Sequence, residues 1–114
     1  MSSTPKGLKT AGRRLWKAIV DELELDEHES ALLLELCRIT DRLDRLNTII
    51  DRDGEIIDGL HGPKVNPALS EARQQAITAA RLTAALRLPT GDEADESRPQ
   101  RRVGVRGVYS IGAS

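Results

Sequence analysis

The sequence has few of the residue types that cross-link a chain, anchor it in a membrane or fill a core with aromatic rings. Its 114 residues include no Phe, one Trp, one Tyr, one Met and one Cys. A single cysteine excludes an intrachain disulfide, and no apolar run approaches the length of a membrane span or of a signal peptide's apolar stretch. We therefore expect a cytoplasmic protein.

The apolar residues that are present are mostly Leu, Ile, Val and Ala. They bring the hydrophobic fraction to 39%, which is too high for a wholly disordered chain, and the length allows one domain at most. An aliphatic side chain gains roughly 1.5–3 kcal/mol on burial, and a chain this short buries a modest fraction of its surface. We expect self-association as a homo-oligomer to supply the missing burial.

Charge is distributed unevenly along the chain, although the net charge is only -1. Residues 1–20 carry five Lys or Arg and no acidic residue, whereas residues 21–60 carry thirteen acidic residues against four Arg. A basic head and an acidic middle predict different partners for different parts of the chain.

Apolar spacing and end signals predict two consecutive helices in the first half of the chain. The first has Thr10 available as its N-cap and is expected to end near Leu25. The second begins after Asp26, which forms a capping-box pattern with Glu29 three residues later.

The second helix carries a regular apolar stripe with steps of four and three residues. Such a heptad seam is typical both of an ordinary core helix and of a subunit contact, and the spacing leaves both open. The seam consists of Leu32, Leu36, Ile39, Leu43, Leu46 and Ile50. A second ridge, Leu33 and Cys37, indicates that the start of this helix meets more than one neighbour. The opposite face is interpreted as solvated charges: Arg38, Asp41, Arg42, Asp44 and Arg45.

Glycine and proline interrupt the helical pattern in the middle of the chain. Gly54 predicts a helix C-cap, and the short apolar runs around Gly59 and Gly62 predict a small hairpin or loop. Asn66-Pro67 predicts an N-cap followed by Pro at the first helical position. An alanine-rich third helix then returns along the second.

These elements predict an all-α fold in the order helix, helix, short hairpin or loop, helix. Pro89 ends the third helix, and the Gly, Ser, Pro and charge content beyond it predicts a disordered tail. The expected organisation is a flexible basic N-terminus over residues 1–9, a helical domain over residues 10–89 and the tail over residues 90–114.

No group of residues has the spacing of a nucleotide-binding, metal or catalytic site. The stretch "GLHGPK" has two residues between its glycines, where a phosphate loop needs four, and Val65 rather than Ser or Thr follows Lys64. His28 and His61 lie on different elements with no cysteine at zinc spacing. We therefore expect a protein that is not an enzyme and that uses no cofactor and no metal.

The basic residues of the first helix are the stronger functional signal. Five cations within twelve residues suit contact with nucleic-acid phosphates, and they also suit an ordinary solvated face. The candidate DNA-binding residues are Lys6, Lys9, Arg13, Arg14 and Lys17. Trp16 beside them is expected to anchor the core or a subunit interface rather than to stack on a base.

Four segments in this order resemble the small terminase subunits of tailed double-stranded DNA phages: "GRRLWKAI", "LELDEHESALLLELCRITDRLD", "GEIIDGLHGPKVNPALSEAR" and "RLTAALRLP". The similarity extends from Gly12 to Pro89. Its most specific positions are Gly12-Arg13, Leu15-Trp16, Glu29, Cys37, Gly62, Val65-Asn66-Pro67, Leu69, Glu71 and Arg73.

The resemblance implies a role in packaging viral DNA. Proteins of this family form rings, recognise double-stranded viral DNA in the host cytoplasm and deliver it to the large terminase subunit, which holds the ATPase and the nuclease. It implies that residues 10–89 serve oligomerisation, through Trp16 and the seam, and DNA recognition. The tail residues expected to bind the partner are Arg98, Arg101, Arg102 and Arg106.

The link between the first two helices, "ELELDEHE", departs from the family pattern. It is acidic and lacks the turn glycine of a helix-turn-helix motif. Two other classes of protein stay open beside the small terminase. One is an oligomeric DNA-binding regulator that binds a short operator as a dimer, and the other is a purely structural helical assembly protein.

Overall fold

The computed structural model describes residues 4–88, which form three helices and one β-hairpin. In chain order the elements are α1 (Thr10–Glu22), α2 (Glu27–Asp53), β1 (Ile56–Gly59), β2 (Gly62–Val65) and α3 (Pro67–Leu86). The predicted helical class and the predicted order of elements are confirmed. The tail expected over residues 90–114 lies outside the described residues.

The start of α1 differs from the expectation. Lys9 rather than Thr10 is the N-cap residue, and its own side chain makes no capping hydrogen bond. The acceptor comes from α2 instead, because the Asp41 carboxylate accepts hydrogen bonds from the backbone N–H groups of Lys9 and Gly12, each at 2.7 Å. The N-terminus of α1 is therefore capped by another helix.

α1 also ends earlier than expected, at Glu22 rather than near Leu25. Leu23 has an extended backbone (φ -127°, ψ 150°) and its side chain is buried, so the helix stops where this residue turns into the core. Asp26 then begins α2 with the predicted capping box. Its carboxylate accepts from the N–H of Glu29, and the Glu29 carboxylate accepts from the N–H of Asp26, both at 3.0 Å.

α2 has two buried ridges. Leu33, Cys37 and Asp41 face α1, and the approach is close, because a Cβ added at Gly12 would lie 2.8 Å from the carbonyl oxygen of Cys37. The seam predicted from the heptad spacing lies on the neighbouring stripe, where Leu32 and Leu36 belong to one apolar cluster with Leu82 and Leu86 of α3. The expectation that this part of the helix meets two neighbours is confirmed.

α3 runs antiparallel to α2 along its whole length. The contacts between the two helices and their ends join Glu29 to Arg87 at 3.9 Å, Arg42 to Gln75 at 3.4 Å, and Gly54 to Asn66 at 2.9 Å. The main apolar cluster lies where all three helices meet. Its buried members are Leu8, Trp16, Leu33, Leu36, Cys37 and Leu86.

α1 covers only the first half of α2. At about 1.5 Å per residue, α2 is about 40 Å long and α1 about 20 Å. α1 begins beside Asp41, and Ile50 is the one residue of α2 after Asp41 that is buried. The rest of α2, the hairpin and the first half of α3 therefore extend beyond α1. We call this extension, residues 42–75, the arm.

The end of the arm is a two-stranded antiparallel hairpin, one of the two forms, hairpin or loop, that the sequence left open. Ile56 pairs with Val65 and Gly59 with Gly62, which leaves Leu60-His61 as a two-residue turn. Gly62 has a φ of +114°, a conformation that favours glycine, and a Cβ at Gly59 would lie 2.9 Å from the carbonyl oxygen of Gly62.

Asn66 joins the hairpin to both long helices. It is buried, its backbone N–H donates to the carbonyl of Glu55 at 2.8 Å, and its Nδ2 donates to the carbonyl of Gly54 at 2.9 Å. Its Oδ1 accepts from the N–H of Ala68 at 3.0 Å, which confirms the predicted N-cap with Pro67 at the first helical position.

Candidate nucleic-acid interface

α1 and the residues before it place all five predicted DNA-binding residues at the surface of the described chain. The exposed set is Lys6, Lys9, Arg13, Arg14 and Lys17. The other side of the segment is buried, because Leu8, Gly12 and Trp16 recur every four residues and pack against the core. This helical spacing buries one side of the segment and leaves the five cations exposed to solvent. We call these five cations the basic strip.

Few of these exposed cations are paired with an acidic side chain. Arg13 donates to the carbonyl of Leu8, which leaves its charge unpaired, and Lys17 lies 3.2 Å from the Asp21 carboxylate. That second pair is exposed on both sides, so it contributes under about 1 kcal/mol. Within residues 4–88, four of the five cations have no ion pair: Lys6, Lys9, Arg13 and Arg14.

Asp41 positions the basic strip relative to α2. Asp41 is buried, whereas the sequence analysis predicted that it is solvated. The charge pattern predicted a solvated Asp41, but the residue is only 5% exposed. A carboxylate at a helix N-terminus satisfies N–H groups that have no partner within the helix and interacts favourably with the helix dipole. A sequence signal was present: Asp41 follows Leu33 and Cys37 at steps of four residues and continues their buried ridge.

Most of the predicted oligomer-interface residues are covered within one chain. Those that are buried are Trp16, Leu36, Ile39 and Ile50. Trp16 belongs to the apolar cluster, and its Nε1 has no acceptor within residues 4–88. Three seam residues are half-buried and keep some surface for a second chain: Leu32, Leu43 and Leu46. Homo-oligomerisation stays a prediction.

The hairpin at the end of the arm exposes apolar side chains that were not among the predicted interface residues. Leu60 at the hairpin turn is 93% exposed, and the paired residues Ile56 and Val65 are 58% and 57% exposed. Ile77 on α3 is 42% exposed. The alternation of the short strands was the available signal, because it places Ile56 and Val65 on the same side of the hairpin.

The Cys37 thiol is buried between α1 and α2. Burial first, and then the neighbouring Asp41 charge, raise the pKa of this thiol to about 12. The thiol is therefore protonated at neutral pH and does not have the reactivity of a thiolate nucleophile.

Two kinds of feature are absent from residues 4–88, a metal-ligating cluster and a membrane-spanning helix. Among residues 4–88, no three His, Cys, Asp or Glu side chains come together in a way that could hold a metal ion. No helix of that part combines the length and the apolar character needed to cross a membrane. The residues predicted to bind the partner lie outside the described residues: Arg98, Arg101, Arg102 and Arg106.

Comparisons with protein-family models, with curated proteins and with solved structures give no match to this chain.

Proposed function

We propose that this protein is the small terminase subunit of a phage DNA-packaging motor. It binds double-stranded viral DNA in the host cytoplasm as a homo-oligomeric ring and delivers the DNA to the large terminase subunit. The observation that carries the proposal is the basic strip of α1. Between Thr4 and Val20 five cations are exposed and no acidic residue occurs.

The way in which α1 is held supports DNA binding by this strip. The buried stripe of α1 and the two hydrogen bonds to Asp41 attach the helix to the core on its inner side. Its cations are therefore displayed on a packed helix. Cations that contact phosphates release condensed counterions, which gives sequence-independent affinity and a steep dependence on salt.

The arm supports the oligomeric part of the proposal. Its exposed apolar residues form surface that a second chain could bury. An oligomer also multiplies a weak strip by its copy number, so that several modest contacts act on one DNA molecule. The resemblance of residues 12–89 to small terminases supplies the packaging role.

The test is the salt dependence of DNA binding. We expect binding of a labelled duplex to weaken steeply between about 50 and 200 mM salt. The variant Arg13→Ala/Arg14→Ala/Lys17→Ala should bind all sequences more weakly. Its slope of log affinity against log salt should fall in magnitude by up to about 2.7 for each contacting subunit, because each phosphate contact releases about 0.9 counterions.

A matched control removes three exposed cations elsewhere, in the variant Lys64→Ala/Arg73→Ala/Arg81→Ala. It should keep the wild-type slope. Both variants should keep the helical circular dichroism of the wild type and its oligomeric state in native mass spectrometry. Absence of wild-type DNA binding at about 50 mM salt would contradict the proposal. A dimer that binds one short operator, without stimulating the purified large subunit, would identify a regulator instead.

A further inference from the structure

The charged stretch of α2 alternates in sign along the sequence but not on the surface. Its residues are Arg38, Asp41, Arg42, Asp44 and Arg45. On an isolated helix Asp41 would neighbour both Arg38 and Arg45, since residues three and four apart lie side by side and opposite charges there attract. The stretch would then be close to neutral.

In the folded chain Asp41 is not available to those arginines. It is buried, and each of its two oxygens accepts a 2.7 Å hydrogen bond from a backbone N–H at the start of α1. Arg38 lies instead 3.5 Å from Glu35, in a pair exposed on both sides. Arg45 is exposed and has no ion pair within residues 4–88.

Arg42 has partners on both α2 and α3, and it lies 4.0 Å from the Glu35 carboxylate that also pairs with Arg38. It is half-buried and donates to Gln75 of α3 at 3.4 Å. Arg38 and Arg45 remain exposed, one turn before and one turn after Asp41. They are seven residues apart, so they share one stripe of α2 and stand about 10.5 Å from each other along its axis.

The hydrogen bonds of Asp41 bring the cations of α1 to the same place. Asp41 accepts from the N–H groups of Lys9 and Gly12, so the exposed residues Lys9 and Arg13 are at, or next in sequence to, the residues that contact Asp41. Two exposed cations of α1 and two of α2 therefore lie within about one helical turn of the contact that the buried carboxylate makes. We call this set the two-helix patch: Lys9, Arg13, Arg38 and Arg45.

We propose that the two-helix patch is the phosphate-contacting surface for double-stranded DNA, with Arg38 and Arg45 of α2 acting beside the cations of α1. The inference rests on the proposed function and extends the DNA site from one helix to two. Charge complementarity favours a polyanion.

The nearby acidic residues do not cancel the patch. The Arg38 pair with Glu35 is at the surface, where such pairs contribute about 0–1 kcal/mol, so a phosphate can replace the carboxylate. Asp44 is exposed and, three residues after Asp41, borders the patch, but it lies on the other flank of Asp41 from Arg38 and Arg45, about 100° around the helix from Arg45.

The test is the variant Arg38→Ala/Arg45→Ala in the full chain, measured by DNA affinity against salt. The slope of log affinity against log salt should fall in magnitude by up to about 1.8 for each contacting subunit. Both proteins should lose affinity between about 50 and 200 mM salt. The loss should be smaller for this variant than for the wild type, by a factor of up to about twelve per contacting subunit. Both arginines are exposed and alanine favours helix, so the helical circular dichroism and the oligomeric state in native mass spectrometry should be unchanged.

The matched control, Arg73→Ala/Arg81→Ala, removes the same charge from exposed positions of α3 and should keep the wild-type slope. A wild-type slope in Arg38→Ala/Arg45→Ala would overturn this inference, and so would an equal fall of the slope in the control. In either case the proposed function stands as long as the wild-type chain binds DNA. A wild-type chain that does not bind DNA at about 50 mM salt would overturn both.

Discussion

A buried carboxylate joins the first two helices of this protein. Burial of a charge is costly unless the charge is hydrogen-bonded, and Asp41 accepts two hydrogen bonds from N–H groups that α1 itself leaves unsatisfied. Gly12 makes the approach possible, since any Cβ there would collide with the Asp41 carboxylate. At the scale of the residue, Asp41 links stability to the placement of the basic strip.

We expect Asp41→Ala to lower the free energy of unfolding by about 2–6 kcal/mol, because it leaves two N–H groups at the start of α1 without their acceptor, at about 1–3 kcal/mol each. Urea unfolding followed by circular dichroism measures the change. The control is Asp44→Ala, an exposed position on the same helix, with an expected change within about 0.5 kcal/mol. Equal effects of the two substitutions would contradict the role assigned to Asp41.

At the scale of the element, the hairpin depends on its attachment to the helices. An isolated two-stranded hairpin is marginally stable in water, and β2 of this one is exposed along its whole length. Asn66 supplies the attachment, because one residue bonds to Glu55 and Gly54 on one side and caps α3 on the other.

We expect Asn66→Ala to lower the free energy of unfolding by about 1–3 kcal/mol, since it removes the cap of α3 and the bond to the Gly54 carbonyl. Asn66→Asp should recover part of the loss, because a carboxylate still accepts from Ala68 but cannot donate to Gly54. Urea unfolding gives both values. As a control, Asn47→Ala at an exposed helical position should change stability by no more than about 0.5 kcal/mol; an Asn66→Ala value within that range would rule out the anchoring role.

At the scale of the whole molecule, the arm is the part of the described chain with least cover. α1 packs on one half of α2, and the other half has α3 as its helical neighbour. Three of the four large apolar residues that are most exposed, Ile56, Leu60 and Val65, lie on the hairpin at its end. Such a surface favours contact with another chain.

We expect native mass spectrometry at micromolar concentration to show a homo-oligomer larger than a dimer. The variant Ile56→Thr/Val65→Thr should reduce the assembly and leave the helical circular dichroism unchanged, because both side chains are more than half exposed and Thr suits a strand. Lys64→Thr, on the opposite side of the same strand, should assemble like the wild type. A wild-type chain that is only monomeric would refute this expectation, and full assembly of the double variant would place the interface elsewhere.

The sequence by itself determined the ends of α2 and the start of α3, and it left open whether a hairpin or a loop joins the two helices. Asp26 with Glu29, Gly54, and Asn66-Pro67 act through hydrogen bonds and backbone preferences within a few residues, so their effect does not depend on the rest of the fold. The exposure of the basic strip also follows from local sequence, because helical periodicity separates it from the apolar stripe.

Only the tertiary structure decided which residues of each helix contact the other helices. The heptad seam of α2 is equally compatible with a partner in the same chain and a partner in another chain, and its buried residues pack within the described chain because α3 returns antiparallel along α2. The alternating charges around Asp41 look solvated in any isolated helix. They become a basic surface because α1, 29 residues away at Gly12, takes both oxygens of the carboxylate that would otherwise pair with Arg38 and Arg45.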